Sequence, residues 1–251
     1  MDSINKVAEI IIQSKRTFAF TGAGISVESG IPTFRGEEGI WNQFDTKILD
    51  LQYYLNNSNN AWPYIKELFY SEPKQILPNM AHQILANWEE RDLLTGIITQ
   101  NIDYLHQKAG SNIVHELHGT TNSFLCTSCK TLHHTKELDL TDNPPKCLYK
   151  KCSSLLKPNF IFFGEDIPHL AYSKSQESTL DTDVYIIIGT SGEVSPANQI
   201  PIMAKQNGAI LIEINIMPSL YTNEITDIFL QGKSTEILHQ IDNKIKSFLT
   251  K

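Results

Sequence analysis

The sequence predicts an α/β fold in which a parallel sheet is covered by helices on both faces. Near-continuous apolar runs, typical of strands buried on both faces, alternate with helical patterns along the chain. Each run ends in small or polar residues, and ligands bind beyond the carboxyl ends of strands in sheets of this kind. With 251 residues, the chain is long enough for one such domain carrying insertions.

The predicted elements follow one another in a regular order. Apolar residues at helical spacing predict a first helix over Ile4 to Ser14. Strand-like runs cover 17–22, 93–101, 183–191 and 209–215, and helical patterns cover 80–90, 196–208 and 234–249. This order places the motifs GAG, QNID, GTS and EIN along one edge of the sheet.

Two segments interrupt the alternation of strands and helices. Residues 42–79 contain short helical patterns between prolines and predict a helical insertion. Residues 121–156 contain all four cysteines and too few apolar residues for a core of their own. We therefore expect a main domain made of residues 1–41, 80–120 and 157–251.

Composition excludes several classes of function. The formal net charge of −7 disfavours binding to a nucleic-acid backbone, which needs clustered Lys and Arg. No apolar run approaches the length of about 18 residues that indicates a membrane helix. The first residues are periodic rather than basic and then apolar, so they predict a helix instead of a signal peptide, and we expect a cytoplasmic protein.

The strand at 17–22 leads into a glycine turn, Gly22-Ala23-Gly24. Such a turn lets the backbone approach a pyrophosphate closely, although a tight turn without a ligand gives the same pattern. Val27 replaces the third glycine of the dinucleotide fingerprint, and the acidic residue expected after a second strand is missing. A Rossmann-like nucleotide site is therefore predicted, but a hydride-transferring dehydrogenase fits poorly.

The cysteines form two pairs with the spacing of a metal site. CxxC is followed, after 17 residues, by CxxxxC, and the four residues are Cys126, Cys129, Cys147 and Cys152. Four thiolates close a tetrahedral Zn²⁺ site, which makes it structural. The alternative is a redox CxxC, although such sites need no second pair.

Six motifs, in this order, resemble those of sirtuins: GAGISVESGIPTFRG, TQNIDYLHQKAG, HELHG, the two cysteine pairs, KPNFIFFGEDIP and GTSGEVSPA. The resemblance covers about residues 17–232 and is greatest to the bacterial branch. It implies an NAD-dependent protein-lysine deacylase that consumes NAD and contains one structural zinc ion. A mono-ADP-ribosyltransferase and a non-catalytic NAD-binding scaffold are the alternatives.

The resemblance also implies roles for individual residues. His118 is the expected general base, and its ordinary pKa near 6.5 suits proton transfer at neutral pH. Asn101, also an expected catalytic residue, and Asp103 are expected to line the nicotinamide pocket, with Gln100 near the ribose. A structural network also accounts for polar residues at this edge. The other expected NAD contacts are the phosphate turns Gly22, Ala23, Gly24 and Gly189, Thr190, Ser191, the closing residues Phe34 and Arg35, and Asn215 at the adenosine ribose. Met217 departs from the family pattern after Asn215 and leaves one ribose contact in doubt.

In the implied reaction, the acyl oxygen attacks the ribose carbon that carries nicotinamide, and nicotinamide leaves. His118 then accepts a ribose proton, and water completes the release of lysine and O-acyl-ADP-ribose. The peptide is expected to pair with two segments of the chain. Candidate substrate contacts are Tyr64, Phe162, Phe163, Gly164, Glu165 and Val194. Glu67 stands where succinyl-removing relatives carry arginine, so acetyl is expected to be preferred to succinyl.

Overall fold

The main sheet contains six parallel strands. The computed structural model describes residues 3–33, 44–71, 76–141 and 143–250. The sheet order is β3-β2-β1-β7-β8-β9. These strands are β1 Thr17–Thr21, β2 Gly96–Thr99, β3 Val114–Glu116, β7 Val184–Ile188, β8 Ile210–Asn215 and β9 Ile228–Gln231. Every pairing within this sheet is parallel, so the carboxyl ends of its strands share one edge.

Helices cover both faces of the main sheet, as predicted. The helices of the described residues are α1 Ser3–Gln13, α2 Leu51–Phe69, α3 Met80–Glu90, α4 Leu105–Ala109, α5 His169–Ser178, α6 Gln199–Gln206 and α7 Ser234–Leu249, of which α2 belongs to the helical insertion. In β7, Ile186 and Ile188 pack into a cluster with α1, α3 and α7, whereas Tyr185 and Ile187 pack with α6. This alternation follows from the two-residue side-chain period of a strand.

A second, antiparallel sheet has the order β5-β4-β6. Its strands are β4 Gly119–Cys126, β5 Leu132–His134 and β6 Leu156–Phe160. Trp62 and Ile65 of α2 share a buried cluster with Phe124, Cys126 and residues of β6. The cysteine segment therefore packs on the helical insertion. Because β4 crosses residue 121, the domain division at that position stays a prediction.

The strongly patterned elements were predicted well. The strands at 17–22, 93–101, 183–191 and 209–215 and the helices at 80–90 and 234–249 are confirmed, and the helix expected at 196–208 is shorter, at Gln199–Gln206. No sequence pattern predicted β3, β9, α4 or α5. None of the described helices is long and apolar enough to cross a membrane.

The segment after β1 forms one short helix. Ala23–Ser29 forms a short 3-10 helix, and Gly30 ends it with φ +90°. Glycine is favoured in such a left-handed conformation because glycine lacks a Cβ atom. Phe34 and Arg35 lie outside the described residues.

The closing helix α7 is expected to be integral to the fold, because Ile241 is fully buried. Ile241→Ala should destabilise the protein by about 2–5 kcal/mol, through lost burial and the cavity left behind. The measurement is the free energy of unfolding in urea. Leu249→Ala, on the same helix but 55% exposed, is the control and should cost under about 0.5 kcal/mol. Equal effects of the two variants would contradict the packing.

Candidate functional site

Two glycine turns interlock at the centre of the rim formed by the strand ends. The Gly24 N–H donates to the Gly189 carbonyl over 2.8 Å. A Cβ atom on Gly24 would lie 2.7 Å from Gly189 Cα, and one on Gly22 would lie 2.7 Å from Gly189 O. Close packing of β1 against β7 therefore requires these glycines. The sequence analysis assigned them only to the turn and to a pyrophosphate.

Hydrogen bonds then connect the ends of β2, β7 and β8. Gln100 Nε2 donates to Thr190 Oγ1 over 2.9 Å, and Asn215 Nδ2 donates to the Thr190 carbonyl over 2.9 Å. Thr190 is buried. Residues from β2, β7 and β8 therefore meet at one edge, as the sequence predicted.

Asn101 and Asp103 extend this cluster toward β1. Asn101 Nδ2 donates to Gly22 O over 3.1 Å and to Ser26 Oγ over 3.2 Å. Ser26 Oγ donates to Asp103 Oδ2 over 2.6 Å, while Asp103 Oδ1 accepts from the Leu105 N–H at the start of α4. Both carboxylate oxygens are thus fixed, which holds the loop after β2 against the 3-10 helix.

His118 lies between β3 and β4 and is half-buried. Its Nδ1 is 2.9 Å from the carbonyl oxygen of Gln100. Because a carbonyl only accepts, Nδ1 carries the proton, and the lone pair of the neutral ring is at Nε2. Burial lowers the pKa of His118, and the bond to Gln100 opposes this shift. The ring is therefore a neutral base at neutral pH.

Two buried histidines lie behind the rim, and the sequence analysis gave them no role. His82 Nδ1 is 3.0 Å from Asn79 Oδ1, and His106 Nε2 is 2.9 Å from Thr21 Oγ1. Their ring centroids are 4.9 Å apart. Burial lowers the pKa of His82 to about 4 and that of His106 well below 6.5. Both rings are neutral at neutral pH.

A sequence signal for one of these histidines exists. His82 lies on the apolar face of α3, beside Ala81 and Leu85, where a polar side chain needs a buried partner. His106 belongs to a five-residue helix that is too short for a periodic pattern. Ser26 lies inside the first sirtuin-like motif and was not singled out.

The four cysteines converge, as predicted for a metal site. Their sulfur atoms all lie within 4.8 Å of one another, with 3.6 Å between the Sγ atoms of Cys126 and Cys152 and 3.7 Å between those of Cys129 and Cys147. A tetrahedral site with Zn–S bonds of about 2.3 Å requires sulfur atoms about 3.8 Å apart. The donor set and its spacing therefore fit Zn²⁺. All four are free cysteines, without a disulfide between them.

Local turns present these thiols to one point. Lys130, just after the first pair, has φ +60°, and Ser153, just after the second pair, has φ +50°. His133 is buried, and its Nε2 lies 3.3 Å from Cys147 Sγ. This contact supports the ligand cluster from β5.

The candidate peptide-binding residues differ in exposure. Phe162 is 1% exposed and packs on Tyr54, whereas Phe163 is 52% exposed. A turn runs from Phe162 to Glu165, with Gly164 at φ +88° and the Glu165 N–H donating to Phe162 O over 3.0 Å. Phe162 thus belongs to the core, and Phe163 is the ring presented at the surface.

The other predicted contacts have varied surroundings. Val194 is half-buried, and its carbonyl accepts from the Asn198 N–H. Tyr64 is half exposed, with its ring centroid 6.5 Å from that of Phe44. Glu67 lines a groove with Trp62, Lys66 and Thr141. Ala23 begins the 3-10 helix, and the Ser191 carbonyl accepts from the Leu220 N–H.

Comparisons with known proteins agree with this arrangement. The Sir2 family matches residues 22–196. The NAD-dependent protein deacylase of Pyrococcus furiosus is 40% identical, over 97% of this chain and 98% of its own length. That relative is archaeal, so it does not support the expected similarity to the bacterial branch.

Solved structures share the whole fold. A Sir2 homologue variant in complex with ADP-ribose has a TM-score of 0.90 and 35% identity, covering 100% of this chain and 98% of its own. A Sir2 complex with a p53 peptide and NAD⁺ has a TM-score of 0.86 and 30% identity, covering 97% of this chain and 98% of its own. This chain therefore belongs to the Sir2 family.

Proposed function

We propose that this protein is an NAD-dependent protein-lysine deacylase. The proposal rests mainly on the position of His118, whose neutral ring is held beside the polar rim by a hydrogen bond to the Gln100 carbonyl oxygen. Acyl-lysine, NAD and water are converted to lysine, nicotinamide and O-acyl-ADP-ribose. Three similar proteins support the proposal. They are the deacylase of Pyrococcus furiosus, the Sir2 homologue in complex with ADP-ribose, and the Sir2 complex with a p53 peptide and NAD⁺.

NAD occupies the rim in this proposal. Small, polar residues suit it: the glycine turns at 22–24 and 189–191 take the phosphates, and Asn215 takes the adenosine ribose. Gln100 lies near the other ribose, while Asn101 and Asp103 line the nicotinamide pocket. Ser26 holds Asp103 and Asn101 in place through the bonds described above, and His82 Nε2 lies 3.4 Å from Ser26 Oγ. Phe34 and Arg35 stay predicted NAD contacts.

His118 acts as the general base. NAD supplies the electrophilic ribose carbon and the acceptor for the acyl group. The Nδ1 bond to Gln100 orients the imidazole, so Nε2 is the atom that accepts a proton from the ribose hydroxyls. A fixed ring contributes positioning as well as proton transfer.

The acyl-lysine peptide binds beside the Phe162–Glu165 turn. Phe163 contributes an exposed aromatic surface for the acyl-lysine stem, and the backbone near Gly164 and Val194 pairs with the peptide. Phe162 acts from the core as support. The zinc ion, bound by the four cysteines, stabilises the segment that packs on α2. The free thiols suit a reducing compartment, and we place the protein in the cytoplasm.

Mass spectrometry of an acetyl-lysine peptide incubated with NAD tests this function. Loss of acetyl with formation of O-acetyl-ADP-ribose is the expected result. A peptide that gains ADP-ribose would establish a mono-ADP-ribosyltransferase instead. No change in peptide or NAD would leave a non-catalytic NAD-binding scaffold.

His118→Tyr should reduce kcat by at least about 100-fold, because a general base contributes roughly 10²–10⁴-fold. Tyrosine has an ordinary pKa near 10 and cannot accept the proton at neutral pH. The measurement is steady-state turnover, with circular dichroism to show that the fold is kept. His115→Ala, on β3 and three residues before His118, is the control and should keep wild-type turnover.

The pH profile provides a second check on the same base. Burial lowers the pKa of His118 below its ordinary 6.5, and the base is active when neutral. Activity should therefore exceed half of its maximum at pH 6.5, rise to a plateau at higher pH, and fall as the pH drops through the lowered pKa. An acid limb of kcat/KM centred above pH 7 would argue against His118 as the titrating group.

Removal of zinc should reduce stability and activity together, since metal binding contributes to the folding free energy. Cys126→Ala deletes one ligand and should lower both bound zinc and the melting temperature, by about 2–4 °C for each 1 kcal/mol lost. Ser128→Ala, between two ligands and exposed, is the control. Purified protein without zinc and with four titratable thiols would refute a zinc site.

Acetyl should be preferred to succinyl. Glu67 would repel an acyl carboxylate, whereas arginine there would pair with it. Comparing kcat/KM on matched acetyl and succinyl peptides measures the preference. Glu67→Arg should raise succinyl activity, and Glu67→Gln is the control for loss of charge alone. A tenfold succinyl preference in the wild type, about 1.4 kcal/mol, would overturn the assignment.

A further inference from the structure

The turn that presents Phe163 is built over a buried charge. Among the described residues, Lys157 is the one lysine with a buried side chain, only 7% exposed. It lies on β6, and its Nζ is 2.8 Å from Glu165 Oε2. Burial of a charged group is unfavourable unless it is paired and hydrogen-bonded. A specific role for this buried ion pair is therefore expected.

Each ammonium proton of Lys157 has an acceptor within the same short segment. Nζ donates to the carbonyl oxygens of Pro158 and Phe160, both over 2.8 Å, and to Glu165 Oε2. Nζ also lies 4.5 Å from the centroid of the Phe162 ring, where a cation is attracted by the aromatic face. The contacts of Lys157 thus converge on the end of β6 and the turn after it.

Glu165 also stabilises the turn through hydrogen bonds to Phe162. Its Oε2 accepts from the Phe162 N–H over 2.8 Å, while its own N–H donates to Phe162 O over 3.0 Å. The two residues therefore bind each other reciprocally, and Lys157 neutralises the carboxylate. The side chain of Glu165 points inward, so it does not serve as a surface contact for a peptide.

The outer side of the turn is bound to the helical insertion. The Phe163 N–H donates to Leu49 O over 2.8 Å, and the Leu51 N–H donates to Phe163 O over 3.1 Å. This parallel bridge fixes the backbone of Phe163 between two segments. The buried ion pair and the bridge hold the turn from opposite sides, and Phe163 stays exposed.

We propose that Lys157 and Glu165 are positioning residues, which hold the Phe162–Glu165 turn in the shape that accepts an acyl-lysine peptide. The proposal rests on the deacylase function proposed above. It assigns them to affinity for the peptide rather than to NAD binding or proton transfer. Removal of either charge leaves the other without its ion pair, where the Lys157 side chain is 8% and the Glu165 side chain 20% exposed, and the turn moves to solvate that group.

Lys157→Met tests the proposal, because methionine keeps a long apolar stem without the ammonium group. The KM for an acetyl-lysine peptide should rise at least tenfold, while the KM for NAD stays within twofold of wild type. Glu165→Gln should give a smaller rise, because the amide oxygen still accepts a hydrogen bond. Lys157→Arg keeps the charge and the donors and should restore the peptide KM to within threefold.

Lys174→Met is the matched control. Lys174 pairs with Glu177 over 2.7 Å on the exposed surface of α5, and its loss should leave both KM values unchanged. A purely structural role for Lys157 would lower the melting temperature and the active fraction without a selective change in peptide KM. That result, with a folded Lys157→Met variant, overturns the proposal.

Hydrogen exchange decides the proposal without any turnover. The amides of Phe163 and Glu165 should exchange at least tenfold faster in Lys157→Met, whereas those of β1 and β7 keep their wild-type rates. Unchanged exchange at the turn contradicts the positioning role. A wild-type protein that deacylates no peptide would refute the proposed function, and this comparison would still decide whether Lys157 and Glu165 hold the turn.

Discussion

The close approach of two glycine turns positions the other groups along the rim. Gly24 and Gly189 are so near that a Cβ atom on either would overlap the backbone of the other turn, and Gly189 also has φ +62°. Extra atoms in such packed places typically cost about 1–3 kcal/mol. With β1 and β7 at this distance, Gly22 O comes within reach of Asn101, and Thr190 comes within reach of Gln100. The glycines that this close packing requires are also those that the proposal places at the phosphates of NAD.

The two insertions depend on each other in a similar way. Trp62 of the helical insertion and Phe124 of the second sheet pack edge to face, with ring centroids 6.0 Å apart. Cys126 and Cys147 belong to the same buried cluster, so a metal at the thiols and the core beneath them stabilise one unit. The Phe162–Glu165 turn is attached to this unit through Leu49 and Leu51. Loss of zinc would therefore reach the proposed peptide site through packed side chains rather than through catalysis.

Sequence reasoning found the parts of the fold with strong local patterns. The buried strands were evident because both of their faces are apolar, and the four cysteines were evident because thiolate ligands need a fixed spacing. Val114–Glu116 has three residues and no apolar run, and α5 has almost no amphipathic character, so neither produced a signal. The pairing of Lys157 with Glu165 and the burial of Phe162 arise from tertiary contacts. No periodic pattern distinguishes Phe162 from Phe163, although one is core and the other is surface.

The roles of the histidines also depend on tertiary contacts that the sequence does not show. Solvent exposure distinguishes the expected base from the two structural histidines. His82, His106 and His118 all have pKa values lowered mainly by burial, so lowered basicity alone does not identify the base. His82 and His106 are completely enclosed, and Asn79 and Thr21 fix one nitrogen of each ring. His118 is half-buried, and its one fixed nitrogen bonds to the carbonyl of Gln100 on the rim itself. A proton can reach His118 from a ligand at the rim without opening the core. The enclosed pair adds no charge at neutral pH, so neither ring places a cation beside Asp103.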